Sequence, residues 1–127
     1  MVNPMITFEN FILADGIPIY LQIIRYIKQG IVAGIILNGD ELPSRRVLSA
    51  LLGVNPNTIQ KAYKMLEEEG LIQSHSGAKS YMVLTEDRIK EIRTELLEND
   101  ARNAVQTLKQ MSVTMEEAIS LIEKYWN

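Results

Sequence analysis

The chain has 127 residues, 46% of them hydrophobic, with 13 Lys and Arg against 16 Asp and Glu and a formal net charge of -3. That size and apolar content suit one compact domain of ordinary size with a short appendage, and they exclude a disordered chain. The absence of cysteine and a single histidine, His75, exclude a disulfide scaffold and leave no donor cluster for zinc, so neither a metal nor another cofactor is expected.

Along the first 17 residues only a strand-like alternation from Ile6 to Ile12 and a turn at Asp15-Gly16 stand out. Pro18 suits the first position of a helix, where its missing N–H is no loss, and Ile19, Ile23, Ile27 and Ile31 recur along one face; the spacing predicts a helix over Pro18–Ala33 that ends near Gly34. The longest apolar run, Ile31 to Leu37, is too short to span a bilayer, and no basic flank precedes an apolar core at the N-terminus. A soluble cytoplasmic protein without a membrane partner is therefore expected.

Asn38-Gly39-Asp40 is a turn, and Pro43-Ser44 opens a second helix with Ser44 as its cap. Val47, Leu48, Leu51 and Leu52 supply its apolar stripe, and Gly53 closes it. Asn55-Pro56 starts a third helix that runs to about Glu69, buries Ile59, Ala62, Tyr63 and Leu66, and ends at Gly70. The connection Gly53-Val54-Asn55 has the length of a helix-turn-helix corner. Two β-prone runs, Leu71–Ser74 and Lys79–Val83, flank a Gly-containing link and predict a hairpin. The expected fold is therefore mainly α with a small β-hairpin: a winged helix-turn-helix over residues 1–83.

From Thr85 the pattern is helical again, with Asn99-Asp100 as a candidate kink or break, and Thr114 with Glu117 matches a capping box for a last helix. Residues 84–127 thus form a two-helix C-terminal tail. About 40 residues cannot bury enough surface to be stable alone, so its apolar positions need a partner. Docking on the chain's own winged domain is one solution. Pairing with a second copy explains more, because a two-fold dimer sets two recognition helices one turn apart on a palindrome. A homodimer through Ile89, Ile92, Leu96, Leu108, Ile119, Ile122 and Trp126 is expected.

The charges are unevenly placed. Residues 1–83 hold seven basic and seven acidic side chains, whereas residues 84–127 hold six and nine. Between Leu42 and Leu66 stand Arg45, Arg46, Lys61 and Lys64 with no acid at all. Attraction to phosphate depends on the field within about one Debye length, ~8–10 Å, so an acidic total does not oppose DNA binding by this segment. A basic helix-turn-helix of this kind points to double-stranded DNA.

The third helix would lie in the major groove with its N-terminal residues toward base edges, which nominates Asn55, Asn57, Thr58, Gln60 and Lys61. Asn and Gln pair bidentately with adenine, and Thr meets a thymine methyl or a phosphate. Arg45 and Arg46, beside Ser44 at the start of the second helix, reach toward backbone phosphates or a guanine edge. Structural readings compete: Asn55 before Pro56 is a cap, Lys61 and Lys64 suit an exposed surface, Tyr63 suits the core, and Glu67–Glu69 suit a solvated face.

The words Pro18-Ile19-Tyr20-Leu21-Gln22-Ile23, Gly39-Asp40-Glu41-Leu42-Pro43-Ser44-Arg45-Arg46, Val54-Asn55-Pro56-Asn57-Thr58-Ile59-Gln60-Lys61-Ala62-Tyr63 and Leu66-Glu67-Glu68-Glu69-Gly70-Leu71-Ile72 resemble the GntR family over residues 18–83. The short tail resembles the YtrA-like subfamily. The resemblance implies a dimeric repressor, often of transport operons and commonly of its own operon, in which Arg46 is a DNA-contacting arginine. It also implies a DNA-binding wing in which Gly77 keeps its place and contacts the minor groove, while Lys79, a further DNA-binding candidate, stands where a second glycine is usual and Ser80-Tyr81 replaces a threonine-aromatic pair. The arginine that many relatives carry at the positions of Pro56 or Gln60 is missing, which points to an A·T-rich site read through Asn and Gln.

An unidentified small-molecule effector is a further candidate partner, with a dimer interface or the junction of wing domain and tail as the places the sequence leaves for it. A winged-helix protein-interaction module without specific DNA binding is the alternative, but it would not need a basic face. No paired acid and base, nucleophile elbow or Gly-rich phosphate loop appears, so an enzyme is not expected.

Overall fold

A computed structural model describes residues 5–75 and 79–127. Among them, five helices and three strands follow in the order α1 (Ile19–Val32), β1 (Glu41–Leu42), α2 (Arg45–Leu52), α3 (Pro56–Glu68), β2 (Ile72–Ser74), β3 (Ser80–Met82), α4 (Glu86–Gln110) and α5 (Met115–Trp126). Residues up to Ile92 form one compact unit and Arg93–Asn127 a second, so α4 begins in the first and ends in the second.

In the first unit the apolar stripe of α1 decides the core. Ile23, Ile27 and Ile31 are buried as their spacing requires, with Ile24 beside them, whereas Ile19 is half-buried. Pro18 is the N-cap, and its carbonyl accepts from the backbone N–H groups of Leu21 and Gln22 at 3.1 and 3.2 Å. The Gln22 amide faces the preceding segment: its Nε2 donates to the carbonyls of Ala14 and Ile17, and its Oε1 accepts from Ala14 N–H at 2.8 Å. Gly30 inside α1 has a packing reason, because a Cβ there would lie 2.6 Å from Ile36 Cδ1. The Ile36 side chain takes that space and is buried.

The alternation from Ile6 to Ile12 forms no strand. Ile6 and Phe8 do turn inward, and Ile6 N–H donates to the Glu41 carbonyl at 2.8 Å, but pairing is confined to a single bridge between Met5 and Glu41. The chain then turns, with Phe11 N–H on the Phe8 carbonyl, and leaves Ile12 85% exposed. Phe8 instead stacks on Tyr26, whose hydroxyl donates to the Thr7 carbonyl at 2.8 Å.

The expected hairpin is present as β2 and β3, but the sheet has three strands in the order β1-β3-β2, all antiparallel. Leu42 pairs with Ser80 and Ile72 with Met82, so the buried side chains of β3 alternate with half-buried Tyr81, as the pleat demands. This sheet extends the core formed where α1 crosses α3 and reaches Leu71, Leu84 and the fully buried Ile92.

In the second unit α4 runs without interruption past Asn99-Asp100. The helix propensity lost by two such residues, under about 1 kcal/mol each, does not break a long helix, and Asn99 Oδ1 accepts from Arg102 Nη1 at 3.4 Å. The helix closes through a left-handed Ser112 (φ 58°), with Val113 N–H on the Leu108 carbonyl and Ser112 N–H on that of Lys109. Thr114 and Glu117 then form the expected capping box of α5. No residue of α5 is buried. Among the described residues no helix is long and apolar enough to cross a membrane, and no cluster of His, Cys, Asp or Glu could hold a metal ion.

Candidate nucleic-acid interface

The site is built on the corner between α2 and α3, and local sequence explains its geometry. Ser44 is half-buried, and its Oγ accepts from Val47 N–H at 3.2 Å to cap α2. Gly53 closes the helix at φ 67°, a left-handed backbone that favours glycine. Ser49, buried although polar, accepts Val54 N–H on its carbonyl and donates its hydroxyl to the Val54 carbonyl at 2.6 Å, so the turn is pinned from both sides. Asn55 Oδ1 then accepts from Asn57 N–H at 2.8 Å, with Pro56 in the first turn, and α3 begins.

One face of α3 is core: Ile59, Ala62, Tyr63 and Leu66 are at most 1% exposed. The other carries Asn57, Gln60, Lys61 and Lys64, all exposed, with Thr58 half-buried at the margin. Arg46 is exposed at the start of α2. The exposed amides and lysines of α3 and the arginines that open α2 thus belong to one packed helix pair, in which the start of α2 meets α3 at Tyr63. The α2 stripe differs from expectation, since Leu48 is buried while Val47 and Leu51 are 55% and 65% exposed. A helix of two turns wedged against α3 covers only one narrow line of side chains.

Tyr63 ties the corner together. Its hydroxyl donates to the Pro43 carbonyl at 2.7 Å, and burial pushes its pKa far above the ordinary tyrosine value, opposed in part by the Arg45 charge. The Arg45 guanidinium lies over the Tyr63 ring, 5.4 Å from its centroid, and its Nε is enclosed with no hydrogen-bond partner among the described residues. Lys61 lies over the ring of Tyr20 on α1, its Nζ 4.0 Å from the centroid. Tyr20 has no signal in the sequence beyond its place in the Pro18–Ile23 word, because its contact with Lys61 is tertiary.

The acids at the far end of α3 are all exposed, as expected, and two of them are also paired. Glu67 Oε2 accepts from Ser74 Oγ at 3.0 Å, and Glu69 Oε1 meets Lys28 Nζ at 2.9 Å and Arg88 Nη2 at 3.6 Å. Carboxylates at a helix C-terminus oppose the macrodipole, and here two cations offset that repulsion. In the wing, His75 N–H donates to the Lys79 carbonyl at 2.9 Å, the His75 and Tyr81 rings meet edge to face, and Lys79 is exposed. Gly77 lies outside the described residues.

The positions expected to pair two copies divide by exposure. Ile92 is fully buried and so presents no surface, Ile89, Leu96 and Leu108 are half-buried, and Ile119, Ile122 and Trp126 are 44%, 53% and 78% exposed.

Comparison with known proteins agrees with this architecture. The family model described as bacterial regulatory proteins, gntR family, matches residues 19–81. The HTH-type transcriptional repressor YtrA of Bacillus subtilis is 37% identical over 107 residues, which cover 84% of this chain and 78% of that one. An uncharacterised HTH-type regulator of the same organism, YhcF, is 32% identical over 108 residues, covering 85% and 89%. A solved GntR family transcriptional regulator from Listeria monocytogenes superposes with a TM-score of 0.76 at 34% identity, over 88% of this chain and 98% of that one. With its winged helix-turn-helix and its amide- and cation-bearing third helix, the chain belongs to the GntR family of bacterial DNA-binding transcriptional regulators.

Proposed function

We propose that the protein is a homodimeric repressor that binds operator DNA through α3 and the start of α2 and controls its own operon, with a transport operon as the leading candidate. The observation that carries this reading is the two-sided α3: a fully buried apolar face behind an exposed face of Asn57, Gln60, Lys61 and Lys64, in a segment free of acids. Amide side chains at the first turns read base edges, while Arg45, Arg46, Lys61 and Lys79 meet the phosphate backbone. Repression is supported by the similarity to the Bacillus subtilis repressor YtrA.

Dimerisation is supported by the second unit, where α5 buries nothing and Ile119, Ile122, Tyr125 and Trp126 remain exposed. A second copy would cover them and place two α3 helices on the half-sites of a palindrome.

The test is fluorescence anisotropy with duplex DNA from upstream of the gene and with shuffled DNA, over a range of salt. The expected result is preference for the upstream duplex and a log affinity that falls against log salt by about 0.9 per phosphate neutralised. Equal binding to both duplexes at all salt concentrations would falsify specific regulation.

A further inference from the structure

The acid-free segment from Leu42 to Leu66 raises a physical question: what holds its cations in place? Long basic side chains lose about 2 kcal/mol of rotamer entropy when they are fixed, so a phosphate contact is stronger if part of that ordering is already done. A carboxylate partner would order a lysine, but it would also neutralise the field that attracts phosphate. Elsewhere in the first unit the protein does use carboxylates in this way, since Glu69 holds Lys28 and Arg88. In the basic segment two of the four cations lie on rings instead. Lys61 Nζ lies 4.0 Å from the Tyr20 ring centroid, Arg45 Cζ lies 5.4 Å from that of Tyr63, and among the described residues neither cation is paired with a carboxylate.

The ring face attracts a cation through its quadrupole and leaves the positive charge intact. Tyr20 is suited to this role because it is itself fixed. It is half-buried in the first turn of α1, on the same face as the buried Ile24, Ile27 and Ile31, so its ring position is set by the α1–α3 packing. Lys61, in contrast, is exposed and one turn along from Asn57 on the face of α3 that would meet DNA.

We propose that Tyr20 is a positioning residue of the DNA interface: its ring seats the Lys61 ammonium and orients it toward a backbone phosphate without neutralising it. The Arg45–Tyr63 pair is a second cation–ring contact within the basic segment. This inference rests on the DNA-binding reading of α3 and adds to it a residue from outside the helix-turn-helix.

The experiment compares full-length protein with Y20F, Y20L, K61A and the double variant Y20L/K61A, by anisotropy on the upstream duplex across a salt series. Phe keeps the ring, so Y20F is expected to bind within about twofold of the unmodified protein, whereas Y20L weakens binding by about two- to fivefold, the yield of an exposed cation–π contact. K61A weakens binding further, and adding Y20L to it costs nothing more, because the seat has no occupant. Proton NMR of the free protein gives a readout that a merely structural tyrosine would not move. The ε-methylene protons of Lys61 are shifted upfield by the ring in the unmodified protein and in Y20F, and not in Y20L.

Unchanged binding by Y20L, additive losses in the double variant, or an absent ring-current shift would each overturn the proposal. Equal losses in Y20F and Y20L would overturn it too, by showing that the hydroxyl itself contacts phosphate. If the unmodified protein shows no salt-dependent DNA binding, the underlying reading of α3 falls and the proposal with it, an outcome distinct from all of these.

Discussion

The Tyr63 hydroxyl donates to the Pro43 carbonyl at 2.7 Å, so the core face of α3 is hydrogen-bonded to the residue that precedes the cap of α2. The bond ties the middle of α3 to the start of α2. Removing the hydroxyl in Tyr63→Phe leaves a buried carbonyl without its partner and is expected to cost about 1–3 kcal/mol of stability, measured by urea unfolding. Far-UV circular dichroism should stay unchanged, because the ring still fills its place.

The same residue predicts a pH dependence. The pKa values of both Tyr63 and Tyr26 are raised above the ordinary value of 10.0, each chiefly by burial, with Glu9 adding to the shift at Tyr26. A raised folded-state pKa means that the native state holds its proton longer than the unfolded chain does. The stability from this source is fully present below pH 10.0 and is lost progressively as pH rises above it. The unfolding free energy should fall between about pH 10 and pH 11.5, by up to roughly 1.4 kcal/mol per pH unit for a single group. Tyr63→Phe should flatten that fall; an unchanged slope would count against the burial assigned to Tyr63.

Arg46 is exposed beside the capped start of α2 and is read as a phosphate anchor. Arg46→Ala is expected to weaken binding to specific and random duplexes about equally, by about tenfold at low salt, and to reduce the salt slope by about 1. Arg46→Glu should abolish binding while leaving the sedimentation behaviour unchanged. A variant that lost discrimination between duplexes but kept its slope would place Arg46 on a base instead.

Much of this corner is legible in the sequence because its signals are local. Ser44, Gly53 and Asn55-Pro56 each fix one helix end within three residues, and Thr114 with Glu117 does the same for α5. What escapes the sequence depends on distant partners. β1 is only two residues long, too short for an alternation, and exists because Ser80 and Tyr81 pair with it. Periodicity marks Val47 and Leu51 as apolar but cannot say that α3 leaves them uncovered. A break after Val83 looks natural where the last strand ends, yet the first compact unit continues to Ile92, because the start of α4 returns a buried side chain to it. The partners of Lys61, Arg45 and Glu69 all come from other elements, so the sequence carries no local signal for them.

Glu69 joins three elements through Lys28 on α1 and Arg88 on α4, with the three side chains 15–33% exposed. Glu69→Gln removes both ion pairs but keeps the size of the side chain. The expected loss is modest, about 0.5–1 kcal/mol at low salt, since pairs this accessible are screened. The difference from the unmodified protein should shrink as salt is added. A loss that persisted in high salt would mean that packing, not charge, is what Glu69 supplies.

Ser112 closes α4 with φ 58°, in a conformation that costs a residue with a side chain roughly 1–2 kcal/mol. Glycine adopts it freely but loses more backbone freedom on folding, which cancels about half of the gain. Ser112→Gly is therefore expected to stabilise the turn between α4 and α5 by about 0.5–1 kcal/mol, read by hydrogen exchange at Val113 and Ser112, whose N–H groups close the motif.

If α5 is the surface on which two copies meet, the decisive substitution is a charge on its apolar line. Ile119, Ile122 and Trp126 recur at three- and four-residue spacing and are all exposed in the single chain. Ile122→Asp would bury a carboxylate in the paired state and leave it in water in the monomer, so its cost falls on association alone. A penalty of about 3 kcal/mol weakens the dimer more than a hundredfold. Sedimentation at micromolar concentration should show a dimer for the unmodified protein and a monomer for the variant, with equal helicity by circular dichroism. Operator affinity should fall steeply in the variant, because two linked half-site contacts become two independent ones. Binding to an isolated half-site should be unaffected, and a variant that remained dimeric would move the interface away from Ile122.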